Sequence, residues 1–210
     1  MLLAAAAAVA IGQPRVERGY TTSVSPRLVE IYSKRFGGEA RARLEAWKRN
    51  ASERKRSPIV ESALLADVNR LLNRVPFVDD AVHWGEEDYW ATPAESIGSN
   101  GADCEDFSIA KYFLLKELGV PIARLRLTYV KSLKLNQAHM VLAYYASPNA
   151  EPLVLDNLED TVRPASQRKD LLPVYSFNDE EVWVGGKKGS SRQIRNWSAL
   201  LQRLEQEMRT

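Results

Sequence analysis

Apolar positions along this chain keep a helical spacing up to about residue 118 and then switch to alternation. Ser25-Pro26 opens the first predicted helix, with serine suited to the N-cap and proline to the first helical position. Leu28, Val29, Ile31 and Tyr32 supply its apolar face, and Gly37-Gly38 ends it. A second helix is predicted from about Glu39 to Ser52, with Ala40, Leu44 and Trp47 on one side. Ser57-Pro58 starts a third, in which Ile59, Ala63, Leu64, Val68, Leu71 and Leu72 recur, and Pro76 closes it. From Phe77 to Gly101 no period holds, which predicts a long irregular loop. A loop of that length inside a domain is functional or disordered, and Trp84, Tyr89 and Trp90 argue against disorder. Cys104 to about Leu118 reads as a helix burying Phe107, Ala110, Leu114 and Leu118, with Gly119 and Pro121 as its stop.

Beyond Pro121 the pattern is strand-like. Leu125, Leu127 and Tyr129 alternate with Arg124, Arg126 and Thr128, a strand with one wet face. Ala138–Tyr145 and Pro152–Asp156 follow as strands, and Val174–Phe177 and Glu181–Val184 extend the sheet. Arg192–Met208 is a terminal helix built on Ile194, Trp197, Leu200, Leu201 and Leu204. Helices first, then an antiparallel meander, then a closing helix define an α+β domain.

Composition narrows the function classes. A net charge of +2 over 210 residues gives no footprint for nucleic acid. The basic stretch Arg41–Arg56 is interleaved with Glu and Ala and reads as a solvated helix face. One Cys and two His exclude the usual zinc patterns. The first eleven residues form an apolar run too short to span a bilayer, which takes about 20 residues. Ala8-Val9-Ala10 fits a small-x-small cleavage site, although the basic leader of a secretory signal is missing. Residues 1–11 therefore read as a signal-peptide remnant, residues 12–210 as one domain, and the compartment as exported.

A lone thiol in an oxidising compartment needs a reason, and the order of three residues supplies one. Cys104 sits where the glycine-bearing run Gly101-Ala102-Asp103 turns into a helix, and a helix N-terminus favours thiolate. His139 lies within a predicted strand and can move a proton near neutral pH. Asp156 ends the next strand and can fix the imidazole tautomer. Taken singly, each has a plain alternative: a small buried hydrophobe, a core histidine, a turn aspartate. Their joint occurrence on separate elements favours a cysteine nucleophile. His83, in the aromatic segment, reads as a loop residue or pocket wall.

The acids around Cys104 oppose that chemistry, because negative charge beside a thiol suppresses the thiolate. In one reading Asp103 is the N-cap and Asp106 the acid three residues on, a capping-box-like pair that leaves Glu105 unexplained. In the other, Asp103 and Glu105 bind a hard cation such as calcium through oxygen. The residues alone leave both open.

Gly101-Ala102-Asp103-Cys104-Glu105-Asp106, His139, the strand end Val154-Leu155-Asp156-Asn157, Trp84-Gly85 and Asp88-Tyr89-Trp90-Ala91-Thr92-Pro93 together resemble the bacterial transglutaminase-like cysteine proteinases, in particular the LapG-type periplasmic proteases. The resemblance runs from about Leu44 to Val184. It implies a papain/transglutaminase-like core with Cys104 as nucleophile, His139 as base, Asp156 as orienting acid, and Ca2+ at Asp103 and Glu105. It further implies periplasmic cleavage of the N-terminal region of a large repeat-containing adhesin, which releases cells from a biofilm. The implied inhibitory partner is the periplasmic domain of an inner-membrane cyclic-di-GMP receptor. Two rival functions share these residues: a transglutaminase or amidotransferase using the same triad, and a non-catalytic binding module.

Overall fold

A computed structural model describes residues 20–21, 24–57 and 59–210; the apolar run at 1–11 lies outside the described residues. Three helices lead: α1 (Pro26–Phe36), α2 (Glu39–Arg56) and α3 (Glu61–Leu72). Ser25 caps α1 as expected, its hydroxyl accepting from Leu28 N. Helix α2 runs one turn past the expected Ser52, and α3 begins at Glu61 rather than at Ser57.

The segment expected to be an irregular loop contains two short helices, α4 (Asp80–His83) and α5 (Pro93–Ser99). Helix α5 has a full capping box, in which Thr92 Oγ1 accepts from Glu95 N and Glu95 Oε2 accepts from Thr92 N. Neither helix is long enough to show an apolar period, so the sequence pattern passes over both.

Helix α6 (Cys104–Glu117) is the axis of the molecule, and every residue from Glu105 to Leu115 is buried. A helix covered on all sides lacks a polar face. One side lies on the sheet, α3 and α5 flank it, and Phe113 stacks on Trp197 with ring centroids 5.8 Å apart. The strands are β1 (Leu125–Ser132), β2 (Gln137–Tyr144), β3 (Leu153–Leu155), β4 (Arg163–Pro164), β5 (Leu171–Phe177), β6 (Glu181–Val184) and β7 (Lys187–Ser190). They form one antiparallel sheet of order β4-β3-β2-β1-β5-β6-β7, so β1–β4 run outward as a meander and β5 returns to the free edge of β1. Helix α7 (Arg195–Arg209) closes the core with Trp197, Leu200 and Leu204.

The expected wet face of β1 is only partly wet. Val130, Val141, Val154 and Leu171 form a second small apolar cluster on the face away from α6, beside a register shift between Tyr129 and Val130. Among the described residues no helix is long and apolar enough to cross a membrane.

Candidate active site

The approach to Cys104 is fixed by backbone. Helix α5 ends in Asn100, whose φ of 61° is left-handed. Ala102 N then donates to Pro76 O and Val78 N donates to Ala102 O, pinning the loop to the strand-like segment before α4. A side chain at Gly101 would place its Cβ 2.5 Å from the His83 ring, so only glycine fits under that imidazole. His83, the last residue of α4, is thus neither a loop residue nor a wall of the Cys104 cleft but a buttress of the loop before Cys104, and it shares a hydrogen bond with Ser99 Oγ.

Cys104 is the first residue of α6, so its N–H has no intrahelical acceptor. One turn on, Ser108 Oγ lies 3.0 Å from the carbonyl oxygens of both Cys104 and Met140. That hydroxyl ties the helix of Cys104 to β2, the strand carrying His139. His139 Nε2 pairs with Asp156 Oδ1 at 2.8 Å, and both residues are buried. With Nε2 donating to the carboxylate, Nδ1 keeps its lone pair for a proton from sulfur. Asp156 also accepts from Leu158 N at 3.0 Å and, on Oδ2, from Arg168 Nη2 at 2.7 Å. Burial would raise its pKa, but the bond from His139 and the donors around it hold the carboxyl down at about 2. It is an anion throughout the working range.

Cys104 and His139 line one cleft of about 980 Å³, with Trp90, Tyr129, Met140, Asn157 and Tyr175 among its walls. The structure therefore brings all three sequence-predicted residues to one place, with Asp156 behind the imidazole.

The thiol is held protonated there. Its Sγ donates to Glu105 Oε2 at 2.9 Å, and burial together with the charges of Glu105 and Asp103 pushes its pKa far up. Glu105 and Asp106 are buried rather than solvated. The capping-box reading fails at Asp103: it occupies the N-cap position, yet its side chain makes no cap bond, and Asp106 Oδ1 accepts from Ala91 N instead. Asp103 Oδ1, Asp106 Oδ2 and Asp80 Oδ1 are buried with no hydrogen-bond partner among the described residues. Burial, reinforced by the neighbouring carboxylates, raises the pKa of Asp80, Asp103 and Asp106; burial raises that of Glu105.

Carboxylate oxygens of Asp80, Asp103 and Asp106, and likewise of Asp80, Asp88 and Glu105, lie within 4.8 Å of one another. Bare, clustered oxygens on hard anionic ligands fit a calcium ion. Sequence reasoning found Asp103 and Glu105 but missed Asp80 and Asp88, which belong to the segment read as a loop. It also missed Arg168, which carries no motif.

A profile of the bacterial transglutaminase-like cysteine proteinases matches residues 35–190. The chain belongs to this family. Like other bacterial transglutaminase-like cysteine proteinases it is a cysteine peptidase with mixed helices and an antiparallel sheet. Among solved structures it is similar to LapG of Legionella pneumophila, at 42% identity over 86% of this chain and 96% of that one, with a TM-score of 0.74. An EGTA-treated form of that protein matches at 41% identity, 86% and 98% coverage and a TM-score of 0.74. A calcium-bound form matches at 42%, 86% and 99%, with a TM-score of 0.72. Nothing among the curated proteins matches the chain.

Proposed function

We propose that this peptidase is a calcium-dependent endopeptidase of the periplasm in which Cys104 is the nucleophile, His139 the base and Asp156 the acid that orients it. The observation that carries the reading is one cleft holding Cys104 and the buried His139–Asp156 pair, flanked by carboxylates whose oxygens converge without partners. His139 Nδ1 takes the thiol proton as Sγ attacks the scissile carbonyl carbon. The Cys104 N–H, at the positive end of α6, faces the oxygen on which charge develops. His139 then returns the proton to the leaving amine, and water resolves the thioester. Asp80, Asp88, Asp103, Glu105 and Asp106 would hold calcium, which supplies the positive charge that these acids lack. With that charge balanced, Glu105 no longer competes for the thiol proton.

The substrate is the N-terminal region of a large repeat-containing surface adhesin, whose cleavage frees the cell from a biofilm. The periplasmic domain of an inner-membrane cyclic-di-GMP receptor withholds the enzyme. Both steps follow from the resemblance of the Gly101–Asp106 and Asp88–Pro93 motifs to the LapG-type periplasmic proteases. Incubation with the N-terminal part of a co-encoded giant adhesin, with calcium or with EGTA, tests the reading. Cleavage only with calcium is expected. Incorporation of an amine probe without hydrolysis would mark a transglutaminase instead, and full cell-level function of Cys104→Ala would mark a binding module.

A further inference from the structure

Asp156 is one of the most enclosed charged groups in the molecule, 1% exposed, and its two oxygens have different duties. Oδ1 accepts from His139 and from Leu158 N; Oδ2 accepts from Arg168 alone. Arg168 is itself 7% exposed and reaches back from the turn before β5. Its backbone is tied at both ends, Arg168 N to Ala165 O and Leu171 N to Arg168 O. A carboxylate holds the side chain from the other direction, with Asp170 Oδ1 accepting from Nε at 3.0 Å and Oδ2 from Nη2 at 2.9 Å. The guanidinium is a fixed fork between two acids, and Nη2 serves both.

A buried ion pair is a poor way to gain stability, since desolvation offsets most of the attraction and an apolar replacement is often neutral. What this pair does accomplish is geometric. It fills the second oxygen of Asp156, so the carboxylate cannot rotate or take up a proton there, and Oδ1 faces His139. Resting on the Cys104–His139–Asp156 assignment above, we propose that Arg168 is a positioning residue of the triad, one that sets the orientation and the basicity of the His139–Asp156 pair through its bond to Asp156 Oδ2. Four charged groups share that neighbourhood: His139 from β2, Asp170 beside Arg168, Asp160 on the loop after Asp156, and Lys111. Lys111 is fully buried on α6, and its ammonium has Asp156 and Asp160 as charged neighbours.

Removing the guanidinium leaves Asp156 more basic, and His139 bound to it then holds its proton more tightly. Arg168→Met in the full chain with saturating calcium should lower kcat about tenfold with KM nearly unchanged, the pattern of a lost alignment rather than lost binding. The limb of the kcat/KM profile that follows His139 should move to higher pH. The chain has two histidines, so the imidazole Cε1–H resonances give a direct reading. The His139 resonance should change its pH dependence in Arg168→Met relative to wild type, and His83 should not. Arg168→Lys, which keeps the charge but not the fork, should recover part of the rate and most of the titration. It also serves if the methionine variant does not fold.

A folded Arg168→Met enzyme with wild-type kcat and an unmoved His139 titration would overturn the proposal. Asp156→Asn is run alongside: if it too keeps full activity, the triad assignment fails, whereas loss there with no effect at Arg168 fails this inference alone.

Discussion

On the sheet side of the cleft Asp156 has a donor at each oxygen, His139 at one and Arg168, its counter-charge, at the other. On the helix side Asp80, Asp103 and Asp106 each keep a buried oxygen with no partner among the described residues. The two sides sit within one site and carry carboxylates of the same chemistry. They differ in whether the chain itself provides the positive charge. Where it does, the acid is an anion at any pH well above about 2. Where it does not, the pKa values rise, and the cost of burial is left for a cation to remove. One half of the site is complete on folding, and the other half leaves its charge unbalanced by the chain.

The largest effects should fall on the finished half and its target. Cys104→Ala is expected to lower turnover by at least about a thousandfold, with His139→Ala nearly as damaging and Asp156→Ala less so, because its role is orientation. Melting curves should show Cys104→Ala as stable as wild type. Wild-type turnover in that variant would remove the mechanism.

Next comes the unfinished half. EGTA should inactivate the enzyme, calcium should restore it, and magnesium should do so poorly, since this irregular oxygen set suits the larger ion. Calcium at about 100 times its Kd should stabilise the fold by about 2.7 kcal/mol, several degrees in Tm. Asp103→Asn, Glu105→Gln and Asp80→Asn should each lose that shift and most activity. Asp103→Asn should also melt higher than wild type in EGTA, because the cost of burying that ionisable carboxyl is gone. Full activity of these variants in EGTA would return the acids to a structural role.

The two halves should respond to pH with opposite signs. Asp156 falls from 3.8 in the unfolded chain to about 2 on folding, so its contribution is complete above about pH 3.8 and is lost as pH drops through 2. The helix-side acids are raised on folding. Their contribution is complete below the ordinary carboxylate range and is lost as pH climbs through their raised values. Glu207, which accepts from Thr92 Oγ1 at 2.7 Å and from Tyr20 and Tyr32, is raised by burial to about 7 and adds the same sign. In EGTA the protein should therefore melt a few degrees higher at pH 5 than at pH 8. Calcium should flatten that slope, and Asp103→Asn should halve it, which thermal scans of the two proteins can compare. A slope unchanged by calcium would separate the acids from the ion.

The smallest effect tests the frame. Gly101→Ala should cost roughly 1–3 kcal/mol, as overpacking does, because its Cβ meets the His83 ring. His83→Ala in the same chain should recover most of it. A Gly101→Ala protein of normal Tm would show the loop free to shift.

Much of this was legible in the sequence, for physical reasons that also mark where legibility stops. The helix beginning at Cys104 and the strand Glu181–Val184 follow from local signals: a glycine run into an apolar stretch, and alternation before Gly185-Gly186. Helices α4 and α5 span four and seven residues, too few to register a period, and their stability comes from Thr92, Glu95 and contacts to the rest of the fold. Asp80 and Asp88 were invisible for the same reason: the turn that aims them at Asp103 and Glu105 is tertiary. Arg168 reaches Asp156 across a hairpin, and only the sheet order places it there. Strand β7, four exposed residues rich in lysine, has a pairing partner but no hydrophobic pattern.

The bond from Cys104 Sγ to Glu105 Oε2 has a consequence for durability. A sulfur that keeps its proton is a poor target for peroxides and alkylating agents, which attack the thiolate. The calcium-free protein should then withstand oxidative damage that would quickly disable the charged, working form. Rates of iodoacetamide labelling at this single cysteine, slow in EGTA and faster with calcium or in Glu105→Gln, would measure the difference. The carboxylate that holds this thiol protonated would then also serve as its preservative, sparing the one cysteine in the chain.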